Sequence, residues 1–249
     1  RLSTGVPQGS VLGLLLFSLY TYYIGKFISS HGFSYHCYAD DPQLIFSFPP
    51  SDRHAWPTAH NIGVTMDNQL SFSSHVANVA LSCRFLLYNI QRIRPFLSTQ
   101  VAQVLVQSPV ISRLDYCNSL LAGLPLNAIC PLQMIQSAAA RLVFNQPKFS
   151  HTTPLLRSLH WLPAAAHIRF KTLMLSYKAK YGPAPSYLRN LITPLKAPRC
   201  LRSSSTARLE PPSPRGRGKY TSRLFSILAP RWWNKLPLDV RTAESLAIL

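Results

Sequence analysis

The stretch Tyr38-Ala39-Asp40-Asp41 lies between two short segments that have the composition of β-strands. Residues 32–37 are rich in aromatic side chains, and residues 43–48 alternate apolar and polar side chains, so the pattern predicts a β-hairpin with an acidic corner. Two ionised carboxylates held close together repel each other unless a proton or a cation offsets the repulsion. Hard divalent cations such as Mg²⁺ prefer carboxylate oxygens. The corner is therefore either a metal-binding site or an Asx turn, in which the carboxylates accept local hydrogen bonds.

A turn rich in Gly, Pro and Ser, residues 3–13, precedes the hairpin and leads into an apolar run from Val11 to Ile24. This run is too short to cross a bilayer, which takes about 20 apolar residues. We therefore predict a helix packed beneath the sheet and no transmembrane segment.

Residues 3–13 and the Tyr38–Asp41 stretch together resemble two successive motifs of reverse transcriptases. Four later stretches are similar to the C-terminal half of LINE-type (non-LTR) retrotransposon polymerases: Leu114-Asp115-Tyr116-Cys117-Asn118, residues 135–142, His160-Trp161-Leu162-Pro163 and residues 231–237. The chain thus resembles such a reverse transcriptase from the C-terminal part of the polymerase domain onward.

The resemblance implies an RNA-directed DNA polymerase whose palm, the catalytic subdomain, is partly contained in residues 1–50. Asp40 and Asp41 would then be the catalytic residues and the ligands of Mg²⁺, in a two-metal phosphoryl transfer. One ion would activate the primer 3′-hydroxyl and the other would stabilise the leaving pyrophosphate. The pocket for nucleotide and template would be lined by Gly5, Val6, Pro7, Gln8 and Gly9.

The chain departs from this family pattern in three places. No Asp or Glu precedes Asp40, although a two-metal palm takes a further carboxylate from an earlier strand. Pro42 occupies a position at which the family carries a threonine. Residues 51–61 form a proline-rich junction where the family has several tens of residues, which indicates an internal deletion. We expect a sequence that begins partway through a longer product, with the fingers upstream of Arg1, and a chain that is inactive alone.

The charge of the chain is unevenly distributed. It carries 26 Lys and Arg against 8 Asp and Glu, a formal net charge of +18. Residues 1–140 have a net charge of +2 and residues 141–249 a net charge of +16. A polyanion is the expected partner of the second half: nucleic acid (RNA template, DNA primer or duplex) rather than the alternative, an anionic membrane surface. An intact relative that supplies the missing parts is a further candidate partner.

The predicted fold class is α+β, with a partial palm (a short antiparallel hairpin plus a helix) and a mainly α-helical thumb-like and C-terminal region. Apolar residues spaced by three and four predict the helices, and Pro109 should kink or stop one of them. The predicted divisions are a helical thumb-like region over 62–145, a basic helical region over 146–192, a flexible cationic linker over 193–222 and a short ordered segment over 223–249.

Seven cations of the basic half are candidates for contacts with a nucleic-acid backbone: Arg169, Lys171, Lys178, Lys180, Arg215, Arg217 and Lys219. In the helix predicted over 164–181, Phe170, Leu173, Met174, Tyr177 and Tyr181 share the apolar face and the lysines lie on another. A solvated basic face is the alternative. Trp161, Trp232 and Trp233 are either stacking platforms for unpaired bases or buried anchors.

The five cysteines contain no Cys-x-x-Cys pair, which favours reduced thiols of an intracellular protein, nuclear or cytoplasmic. Three functions are compatible with the sequence. They are a fragment of a reverse transcriptase, a non-catalytic nucleic-acid-binding remnant, and a decayed reading frame without a selected role.

Overall fold

The helix and the hairpin predicted near the start of the chain are both present in the structure. It is a computed structural model that describes residues 11–38, 41–45, 58–182, 184–195, 207–212 and 221–243. Helices and short antiparallel strands occur together, which confirms the predicted α+β class. The chain divides into two compact units, residues 1–62 and 63–249, next to the boundary that the sequence predicts between 61 and 62.

The first unit begins with helix α1 (Val11–Ser30), which extends six residues beyond the apolar run. The helix ends at Gly32, whose φ of +76° is in the left-handed region that glycine tolerates. The N–H of Gly32 donates to the carbonyl of Ser29 at 3.1 Å, and the N–H of Phe33 donates to the carbonyl of Ile28 at 3.3 Å. This pair of bonds closes the helix and directs the chain into the hairpin.

The hairpin consists of β1 (Ser34–Tyr38) and β2 (Asp41–Ile45), which run antiparallel with Tyr38 opposite Asp41. Strand β3 (Thr58–Asn61) follows, and residues 46–48, predicted to extend the second strand, lie outside the described residues. Pro42 is within β2, opposite Cys37. A two-stranded sheet tolerates this proline because alternate N–H groups of each strand point away from the partner strand.

Helix α1 packs against β1 at Gly25. A Cβ atom at this position would lie 2.1 Å from Oη of Tyr35, so only glycine lets the ring approach so closely. Among the residues of α1 whose burial is described, Gly25 and Ile28 are buried, whereas several large apolar side chains are exposed: Leu15, Leu16, Leu19, Tyr22, Tyr23 and Phe27. The described residues thus show the predicted packing of helix on hairpin at Gly25 and Tyr35. No helix in the described part of the chain is long and apolar enough to cross a membrane.

The second unit is mainly helical. Its elements are β4 (Val64–Asp67), α2 (Ser73–Ile93), α3 (Thr99–Val106), α4 (Ser112–Asp115), α5 (Leu126–Val143), α6 (Thr153–Ser158), α7 (Ala164–Tyr181), α8 (Ser186–Arg189), β5 (Thr193–Pro194), β6 (Leu209–Glu210), α9 (Phe225–Trp233) and α10 (Leu238–Arg241).

The main core of this unit forms between α2 and α5. The buried residues of α2 recur every three or four positions: Val76, Ala80, Cys83, Leu87 and Ile90. Apolar residues of α5, α6 and α7 join the same cluster, including Leu156 and Ile168. The helices on either side of the predicted division between 145 and 146 therefore share one hydrophobic core, to which α2 and α5 contribute before the division and α6 and α7 after it.

Pro109 does not stop the helical path. A π-helical turn, Gln107–Ile111, connects α3 to α4 and contains the proline. A wider turn of this kind accommodates a residue without an N–H within a helix. The helical path thus continues through this turn into α4 instead of stopping, and the predicted kink stays a prediction.

A second cluster surrounds Trp233, which is fully buried and donates from Nε1 to the carbonyl of Ala207 at 2.9 Å. The amide of Asn234 bonds both the N–H and the carbonyl of Leu209, and β6 pairs with β5. The predicted flexible linker over 193–222 is therefore wrong for β5 and β6, because buried Leu209 holds this segment in the cluster. The linker residues 196–206 and 213–220 lie outside the described ranges.

Asp67 supports the start of α2. Its carboxylate accepts the N–H groups of Ser71 at 3.0 Å and Phe72 at 2.8 Å. Partial burial raises the pKa of the Asp67 carboxyl, but the N–H groups of Phe72 and Ser71 outweigh burial and hold this pKa below its ordinary value.

We therefore expect Asp67→Ala to lower the free energy of unfolding by about 1 kcal/mol at neutral pH. Because the pKa is depressed in the folded state, this contribution is complete above the unfolded value of about 3.9 and is lost as the pH falls through the folded value. Urea denaturation of both chains across this range checks the expectation. A difference between the two chains that does not change with pH would contradict it.

Candidate functional site

The acidic corner is described only in part. Asp41 is the first residue of β2 and lies opposite Tyr38. Asp40 itself lies outside the described residues, as do three other groups of predicted site residues: Gly5, Val6, Pro7, Gln8 and Gly9; Arg215 and Arg217; and Lys219. Their predicted roles stay predictions.

The carboxylates are the candidate ligands of a metal ion. The first unit contains three, Asp40, Asp41 and Asp52. In the second unit, Asp67 accepts N–H groups at the start of α2, and Asp115 pairs with His167. Within the described ranges, which leave out Asp40, no three His, Cys, Asp or Glu residues are grouped so as to hold a metal ion. The described residues therefore give no support to a two-metal step.

The predicted backbone-binding cations of α7 have different surroundings. Nζ of Lys171 donates to the carbonyl of Asp115, and Nζ of Lys180 to the carbonyl of Ala207, each at 2.7 Å. The guanidinium of Arg169 lies over the ring of Trp232, and Lys178 is exposed. Two of the four thus already hold backbone carbonyls, a role that the sequence pattern did not indicate. Their contact with phosphate stays a prediction.

Sequence periodicity also misplaced part of the buried face of α7. Phe170 and Tyr181 are exposed, whereas Thr172 and Ser176 are almost fully buried. The hydroxyl of Thr172 donates to the carbonyl of Ile168, and that of Ser176 donates to the carbonyl of Thr172. Hydroxyls satisfied within their own helix can be buried at low cost, so they pack as small core residues.

Of the three tryptophans, Trp233 is a buried anchor and has no face open to a base. Trp161 and Trp232 are partly buried and pack against the main core. Trp161 also lines a cavity, so the stacking alternative stays open for this residue.

The carboxyl end of α5 is closed by two backbone bonds and by a cation. Asn145 adopts a positive φ of 52°, and its N–H donates to the carbonyl of Leu142 at 3.1 Å. The N–H of Gln146 donates to the carbonyl of Arg141 at 2.8 Å. These two bonds satisfy carbonyls that would otherwise be unpaired at a helix end.

Arg94, just beyond α2, binds the same helix end with its whole guanidinium group. Nε donates to the carbonyl of Leu142 at 2.9 Å and Nη2 to that of Val143 at 2.8 Å, while Nη1 donates to Leu97 at 2.7 Å. A cation at this end also complements the negative pole of the helix dipole. Arg94 therefore fastens α2 to α5 and brings positive charge to their junction.

A cavity of about 480 Å³ lies at this junction, and we call it the cationic cleft. Of the ten described residues that line it, three carry positive charge and none is a carboxylate. The charged and amide side chains of the cleft are Arg94, Arg141, Lys148, Gln91, Asn145 and Gln146. Hydrogen bonds from Arg94 and Arg141 to carbonyls orient these cations without cancelling their charge.

Sequence reasoning missed this cleft because its residues meet only after folding. Arg94 and Leu142 are 48 positions apart. Arg141 and Lys148 lie on either side of the end of α5, and this pair is a local indication of positive charge at this place.

A second polar cluster links α4 and α7. Oδ1 of Asp115 is 2.8 Å from Nδ1 of His167, and Lys171 binds the backbone of the same aspartate. Burial raises the pKa of the Asp115 carboxyl, and neighbouring His167 and Lys171 lower it without offsetting the effect of burial. The pair thus brings an oriented imidazole and a carboxylate to the edge of a cavity.

Comparisons of the chain with models of protein families, with curated proteins and with solved structures gave no match. Function is therefore inferred from the residues and their geometry.

We expect Arg94→Ala to lower the free energy of unfolding by about 2 to 3 kcal/mol, because three charge-assisted bonds are lost and two carbonyls of α5 lose a partner. The free energy of unfolding of Arg94→Lys should lie between those of the unaltered chain and of Arg94→Ala, since an ammonium group cannot reproduce the planar set of donors of a guanidinium group. Arg92→Ala, at an exposed position in the last turn of α2, is the control and should change stability by less than about 0.5 kcal/mol. Equal losses in Arg94→Ala and Arg92→Ala during urea denaturation would contradict this role.

Proposed function

We propose that this chain is a nucleic-acid-binding part of a LINE-type reverse transcriptase and that its second unit holds the sugar-phosphate backbone in the cationic cleft. The observation that carries the proposal is the cleft itself, in which Arg94, Arg141 and Lys148 meet without a carboxylate among the described lining residues.

The chemistry of the cleft suits phosphodiesters. Arg and Lys release condensed counterions when they neutralise phosphates, and this release supplies most of the affinity of sequence-independent binding. The side-chain amides of Gln91, Asn145 and Gln146 offer further donors of the kind that contact phosphate oxygens. The net charge of +16 over residues 141–249 adds a long-range attraction for any polyanion.

Assignment to the reverse transcriptase class is supported by the first unit. A helix, a glycine-closed turn and a hairpin follow one another there, and the second strand begins with Asp41. This order is the one that the motif resemblance predicts for part of a palm. Because the ligand set for two metal ions is incomplete, binding rather than polymerisation is the function proposed for the chain alone.

Removal of one cleft charge should weaken binding and flatten its dependence on salt. For Lys148→Ala we expect the slope of log affinity against log salt concentration on duplex DNA to decrease in magnitude by about 0.9, the value for one phosphate contact. Lys235→Ala removes the same charge at an exposed position outside the cleft and should leave the slope unchanged. Fluorescence anisotropy at several salt concentrations measures both slopes. Equal changes in the two variants would show that net charge, not the cleft, binds the nucleic acid.

The isolated chain should not extend a DNA primer on an RNA template in the presence of Mg²⁺ or Mn²⁺, since too few carboxylates are present. Extension by the purified chain would contradict this expectation. Asp40→Asn would then test whether the activity belongs to the corner, because it removes a ligand charge and should abolish extension.

A further inference from the structure

A cavity of about 220 Å³ lies where α5, α7 and the segment before α7 meet, and we call it the aromatic pocket. Trp161 and Phe170 provide aromatic walls, and the polar lining comes from Gln136, His160, His167 and Asp115. Nothing in the sequence pattern singled out this set, because its members come from three separate segments.

Gln136 indicates that the pocket lacks a hydrogen-bond donor. Its residue is only 5% exposed, and its Nε2 donates to the carbonyl of Leu162 at 2.8 Å. The other amide atom, Oε1, is buried without a hydrogen-bond partner. A buried acceptor without a donor is costly and is uncommon in folded proteins. A ligand with an N–H group would remove this cost.

The aromatic pocket continues into a second opening. A groove of about 560 Å³ shares His160, Trp161 and Leu162 with the pocket and is also lined by exposed Arg157. Aromatic surface, a buried acceptor and a nearby cation are thus arranged in succession. Proteins that bind single-stranded nucleic acid combine such features, because each base has a face that stacks and each phosphate a charge to neutralise.

We propose that the aromatic pocket binds one unpaired nucleobase of a single-stranded nucleic acid, with the base against Trp161 and Phe170 and its amino group donating to Oε1 of Gln136. The adjoining phosphate then lies in the groove at Arg157. This inference rests on the proposed nucleic-acid binding and adds to it a preference for a strand with an exposed base.

The polar side of the pocket limits the bases that fit. Adenine, cytosine and guanine carry an exocyclic amino group that can donate to Gln136, whereas purine without this group cannot. His167 is oriented by Asp115 through Nδ1, so Nε2 is the ring nitrogen left for a second polar contact.

The test uses the full chain and three 12-residue DNA strands whose sugars are all abasic, except that one central position carries adenine, purine or no base. The all-abasic strand measures binding to phosphates alone. We expect the adenine strand to bind roughly ten-fold more tightly than the all-abasic strand, as stacking of one base predicts. The purine strand should lose part of this advantage, because Oε1 of Gln136 then has no donor.

Two variants place the effect in the pocket. Phe170→Ala removes an aromatic wall at a residue that is 38% exposed, and it should abolish most of the adenine advantage. Phe85→Ala, at an exposed position of α2 outside the pocket, should keep the advantage. Should Phe170→Ala unfold, the comparison of adenine with purine on the unaltered chain decides the matter.

Equal affinity for the adenine and all-abasic strands would overturn the inference and leave the proposed function intact. The inference would also be overturned if Phe170→Ala and Phe85→Ala lost the adenine advantage to the same extent. The same holds if the purine strand bound as tightly as the adenine strand. Failure of every strand to bind, even at low salt, would overturn the proposed function and this inference together.

Discussion

The contact between Arg94 and the carboxyl end of α5 fastens α2 to α5. Three donors of one guanidinium hold carbonyls of α5 and of the turn after α2, while apolar side chains of both helices fill the space between them. A single side chain thereby joins two helices and lines the cleft beside them. Stability and the candidate binding surface depend on the same residue.

This arrangement reflects a general shortage of carboxylates. With 26 basic and 8 acidic residues, most cations cannot form ion pairs, and several donate to backbone carbonyls instead. Examples are Arg94, Arg141, Lys171 and Lys180. A carbonyl orients a cation but leaves its charge in place, so the folded unit keeps a positive field that a polyanion can neutralise. Both candidate sites border α5, the cationic cleft at its carboxyl end and the aromatic pocket at Gln136.

Local sequence patterns predicted the positions of helices and strands better than they predicted which residues of these elements are buried. The spacing of apolar residues predicted the bounds of α7, 164–181, because helix period and burial are directly coupled. The hairpin was predicted from two short strand patterns and a tight corner. Buried Thr172 and Ser176 were missed because their hydroxyls bond within the helix, and polarity alone gives no sign of this. The buried strand β6 was hidden in a stretch whose composition is typical of a linker.

The candidate sites could not be predicted for a different reason. The cleft joins residues 48 positions apart, and the pocket joins the unpartnered amide oxygen of Gln136 in α5 to aromatic residues before and within α7. Such contacts follow from the packing of helices, which no local pattern specifies. The acidic corner, by contrast, was recognisable from the contiguous residues Tyr38–Asp41, because strand and turn patterns are local.

The most direct measurement is the rate at which acetic anhydride acetylates individual lysines of the full chain, followed by mass spectrometry with and without saturating single-stranded nucleic acid. Binding in the cationic cleft predicts that Lys148 is protected, while Lys235 reacts at an unchanged rate. Saturated binding with no protection of Lys148 would contradict the account.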